Sequence, residues 1–468
     1  MFDFGFDDHE DLTDSNRLQQ LVSSYEQNGG DMYLDTDTLE DIATHYFEHG
    51  RFDSALAVID RILGNCPFSS DAWMRRGVLL NNLARHDEAL SAYDRSLELN
   101  PTDIETTINR AITLDTLDRS DDAIRAYESI LELDPFNEET LFNLGVTLER
   151  QKRTEEAIVM LERCAEINPE HPEAWYELGY CYDRIGEDQK CVECYDHHLN
   201  IDPYSHDAWY NRGIVLNRTG QHKEAVHSYD MAVVISEEFA SAYYNRGNAL
   251  ANLGDIRGAI ESYEQVVEIE GGDAATYYNI ALAYEELREY ETAIRYFTDA
   301  IGLDARYVEA WYGLGCCYDA MERYDDALKH YNRAIGLNPK VPDFWYAKAD
   351  CEYNLGRVKQ ALAAYQLLLD LDPNNREAWI DYAETLFENS EYEQALAAYK
   401  HVIALKPDCA GTYVQQAKTL LALGRADESL KSLRTAFTLD PGKRAELRQS
   451  FPDLLQDQRI RGQLDLDN

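Results

Sequence analysis

Cysteine and histidine fall at metal-ligand spacing in one stretch, Cys191, Cys194 and His198, with Cys181 upstream. Spacings of three and seven put the first three on one helical face, and thiolate with imidazole suits zinc. A second chemistry recurs along the chain in steps of 34 residues. Aromatic rings stand at Phe142, Tyr176, Tyr210, Tyr244, Tyr278, Tyr312 and Tyr346. The next residue is often asparagine: Asn109, Asn143, Asn211, Asn245 and Asn279. Arginine recurs at Arg150, Arg184 and Arg218, and Asn248 follows Asn245 within the same stretch. Asparagine offers two donors and an acceptor, which suits the backbone of an extended peptide. Tyrosine adds a rigid face with a polar tip at low entropic cost. Such contacts contribute about 1 kcal/mol each, so useful affinity needs several at once. No phosphate-binding G-x-x-x-x-G-K, no G-x-S-x-G and no H-E-x-x-H occurs.

The elements that would position these residues are helices. Residues 308 to 341 show the pattern most fully. Trp311, Leu314, Gly315 and Tyr318 form one apolar stripe at helical spacing, and Ala327, Tyr331 and Ala334 a second. A polar turn, residues 320 to 326, lies between them, and Pro339 closes the unit. Gly315, Ala327 and Ala334 let two antiparallel helices approach, while Trp311, Tyr318 and Tyr331 fill the space around them. Stepping by 34 from Trp311 gives twelve copies in register over residues 36 to 443. The eighth place of each copy is Gly or Ala throughout, and the twentieth is Ala except at Cys191 and Ser429. Cys191 thus fills an alanine slot, as does His198, which matches Ala232, Ala300 and Ala334. Core packing is the expectation for them, and no metal or other cofactor is expected. Cys316 and Cys317 are adjacent on a helix and point to different faces, so they are not expected to chelate together.

The unit resembles the tetratricopeptide repeat: W-x2-L-G-x2-Y, then A-x3-F, then P, within 34 residues. Residues 308 to 341 match it throughout, with Tyr331 in place of Phe. The resemblance implies an all-α, right-handed superhelix of about twelve helix-turn-helix units. Copies start at 36, 70, 104, 138, 172, 206, 240, 274, 308, 342, 376 and 410. It also implies that the first helix of each pair lines a concave groove through its second, fifth, sixth, ninth, twelfth and thirteenth places. Those places hold the aromatic, asparagine and arginine series above. The asparagine run is similar to the ladder in the repeat region of O-linked N-acetylglucosamine transferases, which implies sequence-tolerant peptide binding without the transferase activity. The chaperone-tail type of repeat clamps a carboxylate with Lys and Asn. Here Tyr244 holds the Lys place beside Asn248, which speaks against that ligand. Tyr-Asn after the Trp is also close to the repeat's own consensus, so part of the series is expected to pack between copies.

The remaining segments are short. Residues 1 to 35 read as an acidic leader, its first dozen residues disordered, followed by a cap helix from Asn16 to Gln27. Residues 444 to 468 read as a capping helix and tail broken by Pro452. The closing proline is replaced by Glu237, Gly271 and Ala305 in three successive copies, and Gly271-Gly272 marks a candidate flexible joint. Glu352 interrupts the apolar stripe of its helix, with Tyr353 beside it, and is expected to perturb the groove wall there.

The formal net charge is −44 over 468 residues, and Lys152 is the first lysine. So acidic a surface disfavours nucleic acid and anionic lipid. It fits a solvated surface in a saline host, or a groove that attracts basic segments. No segment approaches the roughly 18 apolar residues of a membrane span, and no secretory signal is expected at the N-terminus. Nine cysteines lie within the repeats and suit a reducing cytoplasm. The functional expectation is a non-enzymatic scaffold holding an extended or helical segment of a protein partner in the groove. The alternative is a regulatory subunit of an enzyme assembly that docks through its convex face or caps.

Overall fold

The computed structural model describes residues 8–27 and 32–443, with side chains from Leu18 onward. Among the described residues there are helices and turns and no strand. The chain forms an all-α solenoid of antiparallel helix pairs. After α1 (Asp8–Gln27), first helices begin at Thr36, Ser70, Ile104, Glu138, Pro172 and His206, then Ala240, Ala274, Val308, Pro342, Arg376 and Ala410. They are the even-numbered elements α2 to α24, and each is followed by its antiparallel partner, α3 to α25. The last of these, α25, is Ala426–Leu439. The expected C-terminal cap lies outside the described residues.

The chain divides into two compact units, Met1–Ser236 and Glu237–Asn468. The boundary falls at Glu237, the first copy without a closing proline, and not at Gly271-Gly272. That pair lies inside the second unit. Gly271 caps α15 (Ile256–Glu270) at φ +87° and Gly272 follows at +69°. Both are left-handed, which the missing side chains permit.

Helix α1 starts at Asp8, eight residues before the apolar pattern does, so the leader is helical from there rather than disordered over its first dozen residues. Several of the first helices start at side-chain caps. Asp35, Ser69, Asn137, Ser205, Asp273 and Asn375 each accept a backbone N–H three residues on.

Within a pair, the eighth-place glycine lets the second helix lay an aromatic ring on bare backbone. A Cβ on Gly315 would meet Tyr331 at 2.4 Å, and one on Gly213 would meet Tyr229 at 2.6 Å. Those tyrosines are buried to 1% exposure. Between pairs, each indole donates to the carbonyl that closes the preceding copy: Trp73 to Pro67, Trp175 to Pro169, Trp209 to Pro203, Trp345 to Pro339 and Trp379 to Pro373, at 2.9–3.0 Å. Trp311 makes the same bond to Ala305 at 3.1 Å, so the proline ring is not what the indole needs.

The turn inside each pair has one left-handed residue at its fifteenth place. It is Gly50, Gly186, Gly220, Gly254, Gly356 or Gly424 in half the copies, and Ala84, Asp118, Lys152, Arg288, Glu322 or Ser390 in the others. Glu352 is buried at 8% exposure and lies 3.5 Å from Arg357. The guanidinium compensates it, so the exception to the stripe is absorbed at a turn.

Candidate functional site

The first-helix faces carry the expected series, and the structure brings most of it together within each unit. The aromatic rings Phe142, Tyr176, Tyr210, Tyr244, Tyr278, Tyr312 and Tyr346 are all half-buried. Each tyrosine of the series packs on an aromatic of its own second helix: Tyr176 on Tyr195, Tyr210 on Tyr229, Tyr244 on Tyr263, Tyr278 on Phe297, Tyr312 on Tyr331 and Tyr346 on Tyr365, with centroids 5.6–6.2 Å apart. Phe142 instead faces the His171 ring at 4.8 Å.

The polar tips form rungs between successive copies. Asn211 donates its amide to the Tyr176 hydroxyl at 3.0 Å, and Asn279 donates to Tyr244 at 2.9 Å. Tyr346 donates to Asp381 at 2.5 Å. Each rung joins residues 35 apart, one fifth place to the next sixth place. The asparagine of the ladder is thus spent partly on its neighbour. Asn143 departs from the ladder and donates to Glu139 O on its own helix at 2.8 Å. Asn245 is half-buried at the same place of α14 (Ala240–Asn252). Asn248 accepts from the Tyr263 hydroxyl at 2.8 Å.

The arginines form a second set of rungs. Arg150 donates to Asp115 at 2.9 Å, Arg184 pairs with Glu149, and Arg218 donates to Asp183 at 2.5 Å and also pairs with Asp188. Asp115, at 8% exposure, also accepts from Ser120. The three arginines neutralise acidic twelfth places in the first unit.

The second unit lacks those arginines. Glu285 and Asp319 occupy the same twelfth place, but the thirteenth place of the following copy is Ala320 and Asn354. Asp350 stands one turn earlier on its own helix. All three are half-buried. Burial pushes their carboxyls above the ordinary range, and Asp381 and Asp319 add repulsion at Asp350. Asp319 accepts from Tyr331 at 3.4 Å and Asp350 from Tyr365 at 2.6 Å, which partly offsets the rise. Burial and the charges of Asp381 and Glu388 raise Glu384 in the same way. None of Glu285, Asp319 and Asp350 has an ion-pair partner among the described residues. Sequence reasoning passed over these carboxylates, although the arginine series visibly stops at Arg218.

Cys181, Cys191, Cys194 and His198 do not converge as a three-ligand set among the described residues. The three thiols are buried, which pushes each up to about 12, and His198 Nδ1 bonds Pro172 O at 2.9 Å. They pack as the alanine-slot argument expects. Cys316 and Cys317 do not form part of such a set either.

No described helix is long and apolar enough to cross a membrane. No curated protein matches the chain. Among solved structures it is similar to MamA (29% identity over 34% of this chain and 94% of that one, TM-score 0.34). It is also similar to YrrB, described as a TPR protein with an unusual peptide-binding site (19%, 40% and 96%, 0.36). The APC/C hetero-tetramer Cut9–Hcn1 aligns over 88% of this chain and 95% of that one, at 14% identity and TM-score 0.41. Models of the tetratricopeptide repeat match residues 40–104, 108–163 and 312–376, then 148–211 and 353–419, 240–273, and 274–307 and 410–443, and a TPR repeat model matches 215–254. The chain belongs to the tetratricopeptide repeat family, whose arrays are typically non-catalytic scaffolds for protein or peptide partners.

Proposed function

We propose that the chain holds a basic, extended or helical segment of a partner protein along the first-helix faces of its second unit. The observation that supports this is the set of half-buried carboxylates Glu285, Asp319 and Asp350, raised by burial and without ion-pair partners. A partly desolvated, unpaired charge costs folding free energy, and a cation from outside recovers it. The twelfth-place carboxylates of the first unit are instead paired with Arg150, Arg184 and Arg218, and Glu177 is left there as a raised carboxyl without an ion pair among the described residues. Tyr278, Tyr312 and Tyr346 lie on the same helices and give an apolar surface for the stems of Lys and Arg.

The test uses the full chain and a labelled peptide library in which Lys/Arg-rich segments are compared with sequences of equal helicity lacking the charges. Selected basic peptides bind, and E285Q/D319N/D350N weakens them at least tenfold, while the same number of amide substitutions on second-helix surfaces changes affinity less than twofold. Equal losses in the two variants mean non-specific attraction to an acidic protein, and the reading fails.

A further inference from the structure

Three ligand types meet at the junction of the fourth and fifth copies, in the first unit and beside Phe142. Glu138 opens α8 (Glu138–Arg150), Cys164 lies near the end of α9 (Thr154–Ile167), and His171 is the cap residue of α10 (Pro172–Ile185). One ligand atom from each lies within 4.8 Å of the other two. The imidazole Nε2 is 3.9 Å from Glu138 Oε1. Cys164 is fully buried and its thiol makes no hydrogen bond among the described residues. Glu138 and His171 keep 35% and 17% side-chain exposure, so the cluster is open on the solvent side and closed at the sulfur.

We propose that Glu138, Cys164 and His171 bind a zinc-class divalent cation. The donor set suits it: thiolate and imidazole are the ligands borderline-soft ions favour, and a carboxylate completes three protein ligands with a fourth position for water. Bonds of about 2.0–2.3 Å need the three groups to draw together slightly around the ion. Outer groups are in place. Asn168 donates to Glu138 Oε1 at 2.7 Å and holds that carboxylate. His171 Nδ1 accepts the Ala174 N–H at 3.3 Å as the helix cap and also lies 3.2 Å from Glu173 Oε2, so binding of the ion at Nε2 moves the imidazole proton to Nδ1, where that carboxylate can accept it. The ring of Phe142 packs on the imidazole at 4.8 Å. Carboxylate and thiolate carry two negative charges, which the divalent ion balances.

A nucleophilic role for the same three residues is the competing reading, and burial opposes it. Cys164 has no exposed surface for a substrate to reach, and burial with the nearby Glu138 charge holds its thiol up at about 11. Metal binding supplies what burial withholds: the cation bonds the sulfur and the thiol proton leaves to solvent. The combination occurs in one copy. The next copy has Pro172, His198 and Ser205 at these places.

The experiment strips the full-length chain with chelator under reducing conditions and adds cobalt(II) in excess magnesium, which occupies the acidic surface. One cobalt per chain with a thiolate-to-cobalt charge-transfer band, displaced by zinc, is expected. C164A abolishes the band and should fold, because Ala232, Ala300 and Ala334 fill that slot in other copies. E138Q weakens binding at least tenfold, as does H171S, in which serine caps the helix as Ser205 does. No band in the wild type overturns the site. So does an equal band in C164A, and a band unchanged in both E138Q and H171S overturns the three-ligand assignment.

Discussion

Trp209 packs beside Arg212 and His227 and donates to Pro203 O, so one residue ties its own pair to the copy before it. Trp209→Ala removes that bridge and is expected to cost about 3–5 kcal/mol in a denaturant melt. An unchanged midpoint would remove the packing account. The unpaired carboxylates act in the opposite sense. Glu285, Asp319 and Asp350 have folded pKa values above their ordinary ones. The folded state therefore binds protons more tightly, and stability present below the ordinary carboxylate pKa, near about 4, is lost as pH rises through the raised values. E285Q/D319N/D350N should raise Tm at pH 7, and the gain should shrink as pH falls toward about 4. A gain equal at both pH values would assign the effect to something other than these protons.

At the scale of elements, the turn and the rungs decide how pairs are made and joined. A side chain in the left-handed region costs about 1–2 kcal/mol, partly offset by the greater freedom of glycine in the unfolded chain. Lys152→Gly and Glu322→Gly, at φ +60° and +58°, should therefore each stabilise by about 0.5–1 kcal/mol. Gly186→Ala should destabilise by a similar amount, and a calorimetric series across these three turns checks both signs. Arg150→Ala leaves the buried Asp115 carboxylate with Ser120 but no cation. The expected loss is about 1–3 kcal/mol, read as a lower denaturation midpoint. A more exposed surface pair such as Arg85 with Glu88 should show little loss when broken.

For the whole molecule the net charge of −44 is the governing quantity. Like charges repel over about 8 Å at physiological ionic strength, and added salt shortens that reach. Raising sodium chloride from about 0.05 to 0.5 M should therefore raise Tm, and a fall would show that paired rungs outweigh self-repulsion. The same salt should weaken the binding of a basic segment, so stability and affinity are expected to move in opposite directions along one titration.

The 34-residue register was legible in the sequence because small residues recur where helices must touch and large ones where gaps must be filled. Gly315 under Tyr331 and the indole of Trp311 follow from that register alone. The face that carries Tyr176, Tyr244 and Asn279 was implied by the resemblance to the repeat family, which assigns those places to one side of the first helices. What a period cannot give is the partner of a polar group. Only the folded chain placed Asn211 against the Tyr176 hydroxyl, Arg218 against Asp183 and Glu138 beside Cys164 and His171. Those pairings join residues about 26 to 35 apart, across the packing of neighbouring helices. Hydrogen bonds and ion pairs are short-ranged, so they depend on how helices sit to within an ångström. The apolar pattern depends only on which side of a helix faces in, and that much the sequence by itself determined.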